Sequence, residues 1–180
     1  MFLDKHIFIK RKCLTEDQCS VIKNYIDDSD LIPNRGIYYM NQCRCSSTPH
    51  PFMIDSLKES LNEYIKKHSF LTTLYAPWGI SDLYHLQKYL PGMSYAGEHM
   101  EHGKDVFDSK RLLAWMIYLN TVTDGGGTRW PQQNFKAKAR VGDLLIWPAG
   151  WTHSHHGIVS NTETKYIVTG WCSFSVTDGL

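Results

Sequence analysis

Two hydrophobic rhythms divide the chain. In the first third, apolar residues recur at helical spacing. Val21, Ile22, Tyr25 and Ile26 form one stripe, as one face of an α-helix requires. Thr15 precedes it as an N-cap, and Gln18 completes a capping-box signature three residues later. The acidic run 27–30 ends that helix. A second helix is predicted over residues 55–68. Leu57, Leu61, Tyr64, Ile65 and His68 share one face there, while Lys58, Glu59, Glu63 and Lys66 turn to water. Residues 1–12 read as a short strand with a basic tail. Residues 31–51 have loop composition, with a short strand at 37–40, and suit either a lid or a plain connector.

From about residue 71 the pattern shifts to strands broken by Gly and Pro. Strands are predicted over residues 83–90, 94–101, 111–120, 135–139, 143–147 and 165–175. Along 111–120, Leu112, Ala114, Met116 and Tyr118 share one face, and Leu113, Trp115, Ile117 and Leu119 the other. Both faces are apolar, so this strand is central and covered on both sides. The Tyr118 hydroxyl then needs an internal partner. On the last strand, Lys165, Ile167, Thr169 and Trp171 share one face, opposite Tyr166, Val168, Gly170 and Cys172. Many short strands with turns between them predict an antiparallel sandwich or barrel, of which the jelly roll is one form. The 180 residues suit one domain, with 1–80 as helical support and lid region and 81–176 as the β core.

Composition narrows the function classes. Nineteen basic residues against 18 acidic give a net charge of +1, so charge demands neither nucleic acid nor an anionic membrane. No apolar run is long enough to span a bilayer, and the first residues do not read as a signal peptide. Five cysteines, an odd and sparse set, point away from a disulfide scaffold and toward a reducing, cytoplasmic compartment. Cys43 and Cys45, one residue apart, are a weak metal or redox signal without a second pair.

The chemistry gathers at 84–101 and 151–157. On an extended segment His99 and Glu101 point the same way, giving half of a metal site. Trp151 to Gly157 offers the other half. His153 and His155 share a face there, so either could be the third ligand; His156 points away. Two His and one carboxylate with open positions form the facial triad of non-haem Fe(II) oxygenases. Lys165 is a cation on an otherwise buried strand and needs an anionic partner. That partner is either a surface carboxylate or an anionic ligand; with the hydroxyls of Tyr89, Tyr118 and Thr169, the cation would suit a dicarboxylate. The loop 124–130 has three consecutive Gly but no following Lys-Ser/Thr, so it is no phosphate loop. It reads as a flexible turn, with Arg129 exposed or, alternatively, near substrate.

From about residue 83 to 175, the segments QKYLPGMSYAGEHME, LLAWMIYLN, GGGTRWP, VGDLLIWPAGWTHSHHG and TKYIVTGW resemble the 2-oxoglutarate- and Fe(II)-dependent dioxygenases. They are most similar to the prolyl 4-hydroxylase-like branch and its short phage- and bacterium-encoded members. The resemblance implies a double-stranded β-helix (jelly roll) with the helices packed on one sheet. It places the metal ligands on His99, Glu101 and His155, choosing His155 because it precedes Gly157 by two positions. It puts Lys165 on the distal carboxylate of 2-oxoglutarate, with Tyr89, Tyr118, Thr169 and Trp171 lining the co-substrate pocket. It implies Fe(II), 2-oxoglutarate and dioxygen as cofactors and admits ascorbate as a further one. The implied reaction hydroxylates a substrate, a prolyl residue of a peptide or protein or a small molecule, with succinate and carbon dioxide as co-products. One departure is plain: most relatives carry Asp where this chain has Glu101, and Glu98 and His102 flank the site. Alternatives are a cupin-like metal enzyme without 2-oxoglutarate, a non-catalytic metal-binding module, and a zinc hydrolase.

Overall fold

The computed structural model describes residues 5–34, 38–103 and 105–175. Its framework is a seven-stranded antiparallel sheet. In chain order the strands are β1 (Phe8–Lys10), β2 (Ile32–Asn34), β3 (Tyr38–Arg44), β4 (Trp78–Tyr89), β5 (Arg111–Tyr118), β6 (Thr128–Trp130), β7 (Phe135–Ala137), β8 (Leu144–Pro148), β9 (His156–Gly157) and β10 (Lys165–Phe174). The large sheet runs β1-β8-β5-β10-β4-β3-β2; a smaller one runs β7-β6-β9. The β5 and β10 strands sit at the centre because both of their faces are apolar. This is the two-layered jelly-roll architecture, with helices on one sheet.

Helices α1 (Glu16–Asp27) and α2 (Pro51–Lys67) cover one face of the large sheet. The capping box of α1 forms as predicted: Gln18 N donates to Thr15 Oγ1, and Thr15 N donates to Gln18 Oε1. Such a cap stabilises a helix by ~1 kcal/mol. The buried stripe of α1, however, is Cys19, Ile22 and Ile26; Val21 is 52% exposed and Tyr25 36%. Spacing of three and four residues from Ile22 selects Cys19 and Ile26, and these turn Val21 away from the sheet. The second helix starts earlier than expected, with Pro51 in its first turn, where its missing N–H costs nothing. Against the sheet α2 lays Met53, Ile54, Leu57, Leu61 and Tyr64, which join Leu86, Trp115, Ile117, Ile146 and Val168 in one core.

Three predicted elements change. Residues 94–101 are not a strand. They touch the 149–157 segment at separate points: Gly157 N to Tyr95 O at 2.8 Å, a mutual pair between His99 and His155, and Glu101 N to Ala149 O at 3.0 Å. No regular ladder connects these points. The 31–51 segment is more ordered than its composition suggests: β2 and β3 form a hairpin that extends the large sheet beyond β4. Of the strand predicted at 37–40, Ile37 lies outside the described residues. The 124–130 loop is no flexible turn. Gly125 and Gly126 have φ of +141° and +67°, and a Cβ on Gly127 would sit 2.1 Å from the Ala137 carbonyl oxygen. The glycines thus bring β6 against β7 and β9. Arg129 is exposed on β6.

Candidate active site

The second face of the large sheet carries the cavity. Cross-strand partners share a face, so the register of β10 lays out its wall: Lys165 opposite Tyr89, Ile167 opposite Gln87, and Thr169 opposite His85 and Met116. Trp171 lies opposite Ala114, which in turn lies opposite Trp147. The cavity, of about 450 Å³, is closed further by Thr128 and Gly157 of the small sheet, Tyr95, and Asn34 and Tyr38 of the β2–β3 hairpin.

His99, Glu101 and His155 meet on this face, with one candidate ligand atom from each within 4.8 Å of the others. His155 Nε2 lies 3.2 Å from Glu101 Oε1. Backbone acceptors orient both imidazoles. His99 Nδ1 donates to Gly97 O at 2.8 Å, and His155 Nδ1 donates to His153 O at 3.0 Å. A carbonyl can only accept, so the protons sit on Nδ1 and each Nε2 lone pair is left for a ligand. Trp147 and Trp130 pack on the His155 ring, and Tyr95 on the His99 ring. Burial, aided by His155, holds the His99 pKa below its ordinary value against the opposing pull of Glu101. Burial acts to raise the Glu101 carboxyl. Its contacts with His155, His99 and Trp171 outweigh that and bring it down to about 2. A divalent metal needs a neutral imidazole and an ionised carboxylate, and these are the directions in which burial moves His99 and its contacts move Glu101. A donor set of two imidazole nitrogens and one carboxylate oxygen fits Fe(II) with positions left open.

Of the two candidate histidines, His155 is the one whose ring lies in the cluster. The His153 imidazole is buried away from the cluster, its Nε2 3.0 Å from Lys5 O, and only its backbone carbonyl contacts His155. Glu98 accepts from Ser154 Oγ and His102 contacts Arg111 O, so neither joins the cluster. Five free thiols are present, and Cys43 and Cys45 belong to no candidate metal group among the described residues.

Lys165 is 4% exposed, with Nζ 4.4 Å from the centroid of the Tyr89 ring. It makes no ion pair with any described residue, and burial alone brings its pKa down to about 8. The surface-carboxylate alternative is therefore absent among the described residues. A Cβ on Gly157 would lie 3.6 Å from Lys165 Nζ, so glycine keeps room beside the ammonium. Thr169 and Trp171 line the cavity, but their polar atoms are engaged: Thr169 Oγ1 donates to Trp115 O, and Trp171 Nε1 to Glu101 Oε2. The Tyr118 hydroxyl lies 2.8 Å from Thr128 Oγ1, and Tyr118 stands behind the cavity wall. Arg129 is outside it.

Sequence reasoning missed Gln87, His85 and Arg111, all on the cavity wall. Alternation from Tyr89 would have found the first two, since Tyr89 donates to Gln87 Oε1 on their shared face. Arg111 was hidden by a bulge. The β5–β10 register shifts between Cys172 and Ser173, which reverses the face of residues 111 and 112. Leu112 consequently packs with the helix-side core instead of with Ala114, and Arg111 enters the cavity.

A family model, the 2OG-Fe(II) oxygenase superfamily, matches residues 84–173. The chain belongs to this superfamily. As a 2OG-Fe(II) oxygenase it is a 2-oxoglutarate-dependent dioxygenase with Fe(II), 2-oxoglutarate and dioxygen as cofactors. Solved structures share its fold. The viral collagen prolyl hydroxylase vCPH of Paramecium Bursaria Chlorella virus-1, in its 2OG complex, matches with a TM-score of 0.74 at 18% identity, covering 96% of this chain and 97% of its own. A Pseudomonas putida prolyl-4-hydroxylase gives 0.71 at 18%, over 95% and 94%. A Trichoplax adhaerens prolyl hydroxylase, in complex with a hypoxia inducible factor peptide fragment, gives 0.69 at 15%, over 94% and 84%. No curated protein sequence matches the chain. Among the described residues no helix is long and apolar enough to cross a membrane.

Proposed function

We propose that this oxygenase hydroxylates a prolyl residue of a peptide or protein, with His99, Glu101 and His155 holding Fe(II) and Lys165 holding 2-oxoglutarate. One observation carries the assignment: a His-Glu-His cluster and a buried ammonium with no ion pair among the described residues line one cavity. When bound, Fe(II) would let dioxygen act as the oxidant, with one oxygen atom going to the substrate and the other to 2-oxoglutarate, which leaves as succinate and carbon dioxide.

The chain's own residues bind and orient. The carbonyls of Gly97 and His153 hold the imidazoles with Nε2 toward the metal position. Lys165 offers its charge to the distal carboxylate from a buried position beside Tyr89 and Ile167. A charge-assisted contact in such surroundings is strong. The peptidyl substrate is assigned from two supports. The structures named above are prolyl hydroxylases, one with a peptide bound. The mouth of the cavity is bordered by Asn34 and Tyr38 of the hairpin on one side and by Met100, Asp108 and Arg111 on the other. The β2–β3 hairpin is thus read as the arm that borders substrate.

Anaerobic titration of the Fe(II)-loaded protein with 2-oxoglutarate tests the cofactor assignment. A weak visible charge-transfer band, absent in His155→Ala, is expected; no band with iron bound overturns it. Succinate release with a proline-containing peptide, but not with free proline, tests the substrate class.

A further inference from the structure

The Glu101 carboxylate is not held like a lone metal ligand. Its two oxygens have different partners. Oε1 faces the histidines, 3.2 Å from His155 Nε2. Oε2 accepts from the indole Nε1 of Trp171 at 2.7 Å and lies 3.9 Å from Arg111 Nη1. Trp171 is itself fixed: it is 8% exposed, and the Arg111 guanidinium carbon lies 3.7 Å from its ring centroid. Arg111 also donates from Nη1 to the backbone oxygen of Glu101 at 2.9 Å, and its Nη2 pairs with Asp108 at 2.5 Å. Arg111 is placed by a bulge, whereas Trp171 reaches the cavity face by the regular alternation of β10, beside a register shift toward β4. The β10–β4 register shifts between Gly170 and Cys172, at Trp171, and the β10–β5 register shifts at the residue opposite Arg111. Without the second shift Arg111 would face the helix side.

We propose that Trp171 is a positioning residue for Glu101, with Arg111 clamping it from outside, and that this clamp is what fits a glutamate to the metal site. The inference rests on the metal-centre reading above. A glutamate has one more rotatable bond than an aspartate, so its carboxylate can swing away from the metal or turn both oxygens onto it. The indole N–H removes that freedom by occupying Oε2, and Oε1 remains for the metal. Outer partners of this kind are worth roughly 10- to 100-fold in metal affinity.

The test is a double-mutant cycle read by calorimetric titration of the metal-free protein with Co(II), with the visible Co(II) spectrum as a second readout. Wild type is expected to bind one Co(II), and His155→Ala none. Trp171→Phe keeps an aromatic ring but loses the donor, and is expected to weaken Co(II) about tenfold or more and to alter the spectrum. In a Glu101→Asp background the shorter side chain no longer reaches the indole. There, Trp171→Phe is expected to change affinity less than twofold. A purely structural effect of Trp171→Phe would appear equally in both backgrounds, and that result overturns the clamp. Unchanged Co(II) affinity in Trp171→Phe alone also overturns it. Should Trp171→Phe not fold, Arg111→Met keeps an apolar cover on the indole while removing its cation. Weaker Co(II) binding is then expected, and unchanged binding overturns the proposal. No Co(II) binding by wild type, or full binding by His155→Ala, overturns the metal-centre reading and the clamp with it.

Discussion

Alternate residues of the same strands build the two faces of the large sheet. On the helix side, Leu86, Trp115, Ile117, Ile146 and Val168 are all fully buried in one apolar core. On the cavity side, their immediate neighbours include His85, Gln87, Met116, Trp147 and Thr169. Polar and ionisable groups are admitted on the second face because β6, β7 and β9 cover it only partly, leaving the cavity that the metal cluster and Lys165 line. The helix side therefore supplies the stability that lets the cavity side carry groups that burial disfavours, such as Lys165 and Glu101. The sheet separates the two duties by side-chain parity alone.

The sharpest break in this comparison comes from the cavity side. His99→Ala or His155→Ala is expected to abolish succinate release and Fe(II) binding. The metal-free protein should nevertheless unfold cooperatively, with a smaller loss of Tm than a core truncation. Iron analysis and thermal melts check this pair of outcomes, and normal iron content in both variants removes the triad. Next in size is the mirror experiment. Leu86→Ala, between His85 and Gln87 in sequence but on the other face, should cost roughly 3 kcal/mol as a buried cavity and lower Tm by about 10 °C. Its KM for 2-oxoglutarate should stay within about twofold of wild type, a small effect by the tenfold-per-1.4 kcal/mol rule. A large rise in KM without a loss of Tm would mean that the two faces are not separable.

Parity also decides what was legible in the sequence. The strands β5 and β10 could be read because both faces carry apolar residues at period two, and the α1 cap because Thr15 and Gln18 act locally. The metal cluster could be read as far as His99 and Glu101 because they are close in sequence, although the strand expected to align them does not form and separate backbone bonds to His155 and Ala149 hold them instead. Choosing His155 over His153 needed the family resemblance, since parity treats them alike; in the structure one gives its ring and the other its carbonyl. What stayed hidden depends on long-range pairing. The β2–β3 hairpin is held by β4, so its own residues look like loop. The β6 strand exists because three glycines let it close on β7. Arg111 sits on the cavity face because a bulge overrides the alternation that the sequence predicts.

A smaller effect is expected from the distal end of the cavity. Lys165→Ala should leave metal binding intact and raise the 2-oxoglutarate requirement roughly 10- to 100-fold, the range for losing a hydrogen bond to a charged group. Succinate release against co-substrate concentration measures it. Unchanged dependence would remove Lys165 from the pocket, and lost metal binding would show that the two ends of the wall are not independent.

The smallest effect is the pH dependence of the same contact, and its sign is fixed by burial. In the free protein burial lowers the Lys165 pKa to about 8. A bound carboxylate favours the charged amine, so above that pH binding takes up a proton. Affinity for 2-oxoglutarate should be level below about pH 8 and fall above it, by roughly tenfold between pH 7 and 9. Folding stability should move the other way. The unfolded chain keeps this lysine protonated up to its ordinary 10.5, so the penalty for burying the cation fades between about 8 and 10.5 and stability rises across that window. Lys165→Arg keeps its charge throughout and should lose the step in affinity, whatever its absolute affinity. If the step persists in Lys165→Arg, another group titrates there. The cavity would then hold its anion without the Lys165 charge.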